Sequence, residues 1–586
     1  MMDVLWELTA LGVLTAVGVV FPVPSLYATA VVSALMPFVR VSGDVYPFVV
    51  TLAVVWTIIA LVAASSREGR SRIVAASVPA TAAGGLTVLT SGDLLSFLVG
   101  WEVMTLASFG ALARGGSRRA FAYLFLGEVA FLLAAVGLLY KWTVTGTVDP
   151  WTGWGAVPWA ALVLGLAAVI KMEVFPFHVM APRAYEEGGG IAAALVSGTV
   201  TAVGAYVLLR VATSVHGGEW AGLAAVIVGT VSAFFGSLFA SGSHGVRELL
   251  GYTTVAHNGT VLALVGTALA AAALGDKVLG AFALTVACYY VMAHALAKGP
   301  VLALTAGGST DFDADDPEPL GPVARKAAQL CLASLAAVPP LPGFLAEWGA
   351  LESMFQSLRF PHAAAKVIVV AAGTLQALAA GLGVVALTKA AVHWFQRSPG
   401  RRPDARDLAG AMVLVGLPAI SVGAPWVMER FELPKAFGVG PSRFLGGLLA
   451  VPKGWLVKSG HGFGAVSPTF LALMMAVISG PVTFAFFLRV ARKTRETKPW
   501  SGGLSDPEYP AAAHSAILLL TQGWAYGTDE RDLSWRDPVE RLVMASVKRT
   551  RRLLEGFSRG LMPGKDTVYV LYILIALLAV MVAIGA

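Results

Sequence analysis

The chain has 586 residues, 57% of them hydrophobic and only 13% charged, with a mean hydropathy of +0.74. A soluble domain carries roughly 25% charge, so this composition excludes one and predicts an integral membrane protein built from helices, which satisfy their own backbone hydrogen bonds in lipid. Its two cysteines, Cys288 and Cys331, are too few for a four-cysteine iron–sulfur site or a disulfide framework. No cofactor or metal is expected in this chain. The net charge of +7 comes from basic residues in short loops between apolar runs, as positive-inside topology requires, so it does not point to nucleic acid.

Apolar runs long enough to cross ~30 Å of hydrocarbon recur along the whole chain. The first, from Val4, lacks a basic region before it and a cleavage site after it, and reads as a retained span rather than a signal peptide. About 16 transmembrane helices are predicted, near 4–21, 24–39, 46–64, 73–90, 93–112, 120–140, 158–179, 191–213, 221–242, 250–272, 278–306, 327–346, 363–391, 408–428, 466–490 and 567–585. Arginine and lysine clusters follow spans three, five, thirteen and fifteen, which puts the odd-numbered exits in the cytoplasm. The loop from Asp311 to Glu318 is acidic and dissents. Spans seven and twelve carry prolines in mid-run, Pro176 in KMEVFPFH and Pro339, Pro340 and Pro342 in VPPLPGFLAEW. Proline removes a backbone donor that lipid cannot replace. Such broken helices face protein or a wet cavity and mark ion sites in transporters; a plain packing kink is the alternative. After span fifteen, Asp537 and Pro538 cap a run with Val539, Leu542, Val543, Val547, Leu554 and Phe557 at helical spacing amid basic residues. This predicts a lateral amphipathic helix on the membrane surface, with a solvated linker helix as the alternative.

An ionisable group at mid-span costs about 2.5 to 3.5 kcal/mol on insertion scales. The spans nevertheless hold Glu102, Glu128, Lys171, Glu173, His257, His294, Lys298, Glu347 and Lys389, with His178 just beyond Pro176. Burial disfavours the charged forms of acids and bases alike and an opposite charge favours them, so moving a partner makes such groups take up or release protons near neutral pH. His294 and Lys298 are four apart and share a helix face. Lys171 and Glu173 are two apart and do not, which leaves Glu102 as the better partner for Lys171. Blander readings stand beside these: Glu128 as a static ion-pair member, Glu173 and Lys389 snorkelling from span ends, and His257 as a hydrogen-bonded core residue.

The motifs WEVMTLASF at Glu102, KMEVFPFHVMAPRAYEEGGGIAAALVSG at Lys171, ELLGYTTVAHNGTVLALVG at His257, MAHALAKGPVLALTAG at His294 and Lys298, and PPLPGFLAEW at Glu347 run from about residue 90 to 355. Together they resemble the antiporter-like membrane subunits of complex I, group 4 membrane-bound hydrogenases, formate hydrogenlyase and multisubunit cation/proton antiporters. Lys389, the lateral helix and the last span look most like the large hydrogenase-type subunit. The resemblance implies an all-α integral membrane fold with two inverted five-helix repeats, each containing a broken helix. The implied divisions are N-terminal helices over 1–90, repeats over 91–242 and 243–392, additional helices over 393–490, a cytoplasmic segment with the lateral helix over 491–565, and a final helix over 566–586. It further implies that Glu102 tunes Lys171, that His257, His294 and Lys298 form the central relay, and that Glu347 is the terminal group; Glu128, Glu173, His178 and Lys389 are accessory candidates.

The implied function is translocation of protons, or of sodium, in a prokaryotic plasma membrane. Redox energy would come from a peripheral arm bearing iron–sulfur clusters and a nickel–iron or quinone site, docked through further antiporter-like and small membrane subunits. A redox-independent antiporter or inorganic-carbon uptake system is the alternative. One departure favours a degenerate scaffold: where many relatives read SGxxxKxGxY, this chain reads SGTVTAVGAY and has Ala202. Tyr290 likewise stands where some relatives have a second histidine.

Overall fold

A computed structural model describes residues 5–38, 41, 43, 45–114, 118–180, 182–214, 218–308, 320–391, 402–446, 456–461, 464–475 and 477. The predicted lateral helix, the sixteenth span and the basic cluster after span fifteen lie outside these residues. Within them the helices follow the predicted runs closely: α1 (Leu5–Val20), α2 (Pro22–Leu35), α3 (Tyr46–Ser65), α4 (Arg72–Thr90), α5 (Leu94–Ala113), α6 (Arg118–Thr145), α7 (Pro158–Lys171), α8 (Pro182–Gly188) and α9 (Gly190–Leu195). A π-helical turn (Val196–Val200) leads into α10 (Thr201–Ser214), followed by α11 (Glu219–Gly242), α12 (Val246–Ala273), α13 (Lys277–Ala303), α14 (Pro322–Leu335), α15 (Pro342–Gln356), α16 (Ala363–Ala390), α17 (Ala405–Val422) and α18 (Ala424–Glu429). Among the described residues, ten helices are long and apolar enough to cross a membrane.

The all-α expectation needs one small correction. Residues Leu445–Gly446, Leu456–Lys458 and Ala465–Val466 form an antiparallel sheet in the order β1-β2-β3, tied to the start of α13 where His461 Nε2 meets the Asp276 carboxylate at 2.8 Å. Glycine and proline between weakly apolar segments hid these short strands from a reading tuned to spans.

Burial sorts the helices. The Gly190–Ser214 span is wholly enclosed, α13 nearly so, whereas only 28% of the apolar window of α16 is buried. The centre is therefore made by the elements that carry the polar motifs, and α16 leaves most of its apolar window uncovered by the rest of the chain. Small residues allow the closest approaches. Gly222, Gly229 and Gly236 of α11 face Gly266, Gly259 and Tyr252 of α12, and a Cβ on Gly229 would lie 2.5 Å from the Gly259 carbonyl oxygen.

Both predicted broken spans are broken, and by one device. In the first break the N–H groups of Met172, Glu173, Val174 and Phe177 donate to Ala168, Ile170, Val169 and Val174; in the second those of Ala336, Ala337, Val338 and Leu341 donate to Leu332, Ser334, Ala333 and Val338. The pattern repeats residue for residue, and the left-handed residue, Glu173 (φ 57°) or Ala337 (φ 52°), occupies the same place. Groups freed by the first break are satisfied by later helices: Asn258 donates to the Met172 carbonyl at 2.6 Å, and Ser232 Oγ accepts from Phe175 N at 3.1 Å.

A buried carboxylate in the short loop after α3 ties the ends of three elements together. Glu68 accepts the N–H groups of Gly190, Ile191 and Gly307 at 3.0 to 3.1 Å and is 4% exposed. Gly189 (φ 96°) is required beside it, since a Cβ there would lie 2.8 Å from the carboxylate. Glu68→Ala, which strands three donors, should lower stability by about 3 kcal/mol, with Glu68→Gln losing less than half as much in thermal unfolding of the detergent-solubilised protein. At the start of α5, outside the span, Asp93 caps the helix through Ser96 N at 2.8 Å. The Ser96 backbone and hydroxyl bonds hold its carboxyl below the ordinary 3.8. Its contribution, about 1 kcal/mol by analogy with other N-caps, is therefore present above the unfolded value and lost as pH falls through the folded one. Asp93→Ala should remove that acid-limb loss from the pH–stability profile.

Candidate functional site

In the first half, α5 presents Trp101, Glu102 and Thr105, α6 presents Glu128, and α7 ends on Lys171. Lys171 is 2% exposed. Its ammonium donates to Thr105 Oγ1, which itself donates to the Trp101 carbonyl at 2.7 Å, and it stands 5.5 Å from the Trp101 ring. Gly127 leaves room for its partner: a Cβ there would lie 2.7 Å from Thr105 Cγ2. Glu102 and Glu128 lie within hydrogen-bonding reach of each other, and both act electrostatically on Lys171. Among the described residues, no ion pair within 4.0 Å joins Glu102 to Lys171. The direct partner is a hydroxyl, and the carboxyls surround the lysine at longer range.

Glu173 and Lys389 do not snorkel. Glu173 is fully buried and accepts from Tyr185 Oη of α8 at 2.6 Å, while its other oxygen has no hydrogen-bond partner among the described residues. Lys389 donates to the Ser243 carbonyl at the end of α11 at 2.8 Å, where a helix C-terminus favours a cation. His178 is buried and stacks on Phe175, with ring centroids 5.2 Å apart.

In the second half, Lys298 of α13 is fully buried and donates to Thr253 Oγ1 and to the Leu250 carbonyl of α12. One turn on, His294 lies edge-to-face on His257 of α12 at 4.9 Å, and His257 is 6.0 Å from Tyr290. Neither His294 nitrogen has a hydrogen-bond partner among the described residues. Glu347 of α15 is clamped: Tyr290 Oη donates to Oε2 at 3.0 Å and Gln376 Nε2 of α16 to Oε1 at 2.8 Å. Gln376 also donates to Thr260 at 2.9 Å. A cleft of about 340 Å³ between α11, α12, α16 and the second break is lined by His257, Thr260, Tyr290, Glu347 and Gln376. That volume can hold several waters beside the carboxylate.

The structure thus gathers Glu102, Glu128, Lys171 and Glu173 around the first break, and His257, His294, Lys298 and Glu347 on and beside the second. Thr105, Thr253, Tyr185 and Gln376 were missed. The signal for Gln376 was available, a lone amide midway along an apolar span; the hydroxyls gave none, because Ser and Thr are common in such helices.

Residues 91–373 match the family described as NADH:quinone oxidoreductase/Mrp antiporter, TM. The chain is an antiporter-like membrane subunit. It is 25% identical to hydrogenase-4 component B of Escherichia coli over 559 residues, covering 85% of this chain and 81% of that one. Formate hydrogenlyase subunit 3 of the same organism is 27% identical, over 60% of this chain and 61% of its own. Among solved structures, a chain of the membrane-bound sulfane sulfur reductase, an archaeal respiratory membrane complex, superposes with a TM-score of 0.74 at 19% identity, covering 98% of this antiporter-like chain and 99% of that one. A chain of the Mrp complex from Dietzia sp. DQ12-45-1b gives 0.67 at 20% identity, over 99% and 62%. At these identities the superpositions establish the fold alone.

Removing the Gln376 amide leaves Glu347 Oε1 and Thr260 without their shared donor. Gln376→Leu should cost about 2 kcal/mol and depress ion transport by the assembled complex about tenfold, with normal subunit content on native gels.

Proposed function

We propose that this antiporter-like subunit translocates protons, or sodium, for a complex I-related or group 4 hydrogenase-type respiratory complex in a prokaryotic plasma membrane. Partner subunits supply the redox energy. The observation that carries the reading is the series of acids and bases from Glu102 to Glu347 inside the helices, in which Lys171, Glu173, Lys298 and Glu347 are held by hydroxyl, amide or carbonyl groups rather than by a neutralising contact ion pair. A lysine held by a hydroxyl gives up its proton at lower cost than one locked to a carboxylate, and regains it when a neighbouring acid ionises.

In this reading Glu102, assisted by Glu128, sets the protonation of Lys171. Lys298, His294 and His257 carry the proton onward, and Glu347 is the terminal group, hydrated through the adjoining cleft. Glu173, His178 and Lys389 are accessory. The identical breaks motivate an assignment of two inverted repeats to the ordered sets α4–α10 (72–214) and α11–α16 (219–390), each a run of three helices, a broken helix and a closing one. The sets begin earlier than motif positions alone suggest, because the motifs start only at the second helix of each.

The likeness to hydrogenase-4 component B supports a redox-coupled assembly, with iron–sulfur and nickel–iron or quinone centres in partner subunits. The matching family also includes Mrp antiporters, which is the support for the redox-independent alternative, and the subunits that copurify with the chain from native membranes decide between the two. Within the redox complex, Lys171→Ala and Glu102→Gln should each cut protons moved per electron by about tenfold or more while electron transfer continues. An unchanged proton yield in both variants refutes the proposed function.

A further inference from the structure

The place where the resemblance implies a lysine holds Ala202, so no charged side chain from α10 links the cluster at the first break to Lys298. Hydroxyls stand between them instead. Tyr185 Oη donates to Glu173 Oε2 at 2.6 Å, and Ser197 acts electrostatically on the Tyr185 hydroxyl without a direct hydrogen bond between them. Ser197 Oγ and Thr254 Oγ1 are 2.9 Å apart. Thr254 Oγ1 and Lys298 Nζ both donate to the Leu250 carbonyl, at 2.9 and 3.2 Å, which puts them within direct contact or one water of each other. Glu173, Tyr185, Ser197, Thr254 and Lys298 are all fully buried.

Local structure explains why Ser197 points across rather than along its helix. Several buried hydroxyls elsewhere in this chain, such as those of Thr29, Thr57 and Thr285, donate to the carbonyl one turn back. Ser197 lies in the π-helical turn, whose extra residue breaks that register and turns its hydroxyl to α12. The next residue, Gly198, meets the backbone of Gly299: a Cβ on Gly198 would lie 2.9 Å from the Gly299 Cα. The π turn and α13 therefore cross closely beside Lys298. A bulkier residue at either glycine would separate them.

We propose that Tyr185, Ser197 and Thr254 form a hydroxyl relay that carries protons between Lys298 and Glu173, joining the two halves of the subunit. The proposal rests on the function proposed above. In the direction Lys298 to Glu173, the Thr254 hydroxyl first turns from the Leu250 carbonyl to Ser197; the Tyr185 proton then moves to Glu173 Oε2, a proton from Ser197 reaches Tyr185 Oη through one water, and the Thr254 proton moves to Ser197 Oγ. A Lys298 proton moves to Thr254 Oγ1, directly or through one water. An ammonium and a carboxylate become an amine and a carboxylic acid, and each hydroxyl ends neutral with its O–H bond reversed. Rotation of the three hydroxyls resets the chain. Such a path needs no further charge at membrane depth, which an extra lysine would add.

The test uses the assembled complex in native membranes. Tyr185→Phe and Ser197→Ala should each slow coupled proton transport at least about tenfold, Ser197→Thr should retain it, and Ala202→Lys placed in the Ser197→Ala background should restore it. A serine needed only for packing would gain nothing from that lysine. Should Ser197→Ala fail to assemble, Tyr185→Phe, which loses a single oxygen, decides. Wild-type transport in Tyr185→Phe, in membranes where Lys171→Ala abolishes it, overturns the relay and leaves the proposed function standing; normal transport in both variants removes the two together.

Discussion

A charge or a broken backbone at membrane depth must be satisfied by protein, because lipid offers no hydrogen bonds. The breaks, the buried lysines and Glu347 answer that constraint, and the answers come largely from distant parts of the chain. The carbonyl released at Met172 is met by Asn258, Lys298 is held by the Thr253 hydroxyl and the Leu250 carbonyl, and Glu347 takes donors from Tyr290 and Gln376. The two halves are thereby joined through polar contacts in the interior as well as by apolar packing, and a change at one break alters groups that the other half uses.

The partners chosen also bear on chemistry. Contact ion pairs would be the cheapest way to bury Lys171 and Lys298, yet both ammonium groups donate to threonine hydroxyls. A neutral partner leaves the balance between ammonium and amine open to whatever carboxyl lies farther off. Glu102, Glu128 and Glu173 occupy that longer range around Lys171. Ion pairs in contact occur instead between helix ends, as between Arg183 and Glu248 at 3.8 Å, where they fasten and do not titrate the path.

Much of this was legible in the amino-acid sequence. Apolar runs located the helices from Leu5 to Val422, and the proline clusters located both breaks, since each is a strong local signal that tertiary context does not reverse. Unpaired charges in those runs named the residues that the interior gathers. What stayed hidden was pairing. Spacing along one helix ruled out Lys171 with Glu173 and favoured Glu102, but could not show that Thr105, one turn from Trp101, would take the direct bond. Glu68 drew no reading at all, because its role depends on backbone N–H groups at Gly190, Ile191 and Gly307, which no side-chain pattern reports.

The two breaks share their backbone and differ in their chemistry, and the difference assigns them different work. The first places Lys171 and Glu173 at the break itself, while Leu335 and Ala337 hold the same two places in the second. The second half instead carries its acid beyond the break, on α15, where Glu347 faces the cleft and is gripped by a tyrosine and an amide. An apolar second break leaves Ala336 and Ala337 as walls of that cleft, so the cleft meets Glu347 beside side chains that compete for neither its proton nor its hydrogen bonds. At the first break the competing groups are the site, packed against Tyr185 and Thr105. The same fold element therefore builds a densely packed charged cluster in one half and sets an acid beside an open cleft in the other, and the residues at positions 171, 173, 335 and 337 mark the difference between the two breaks.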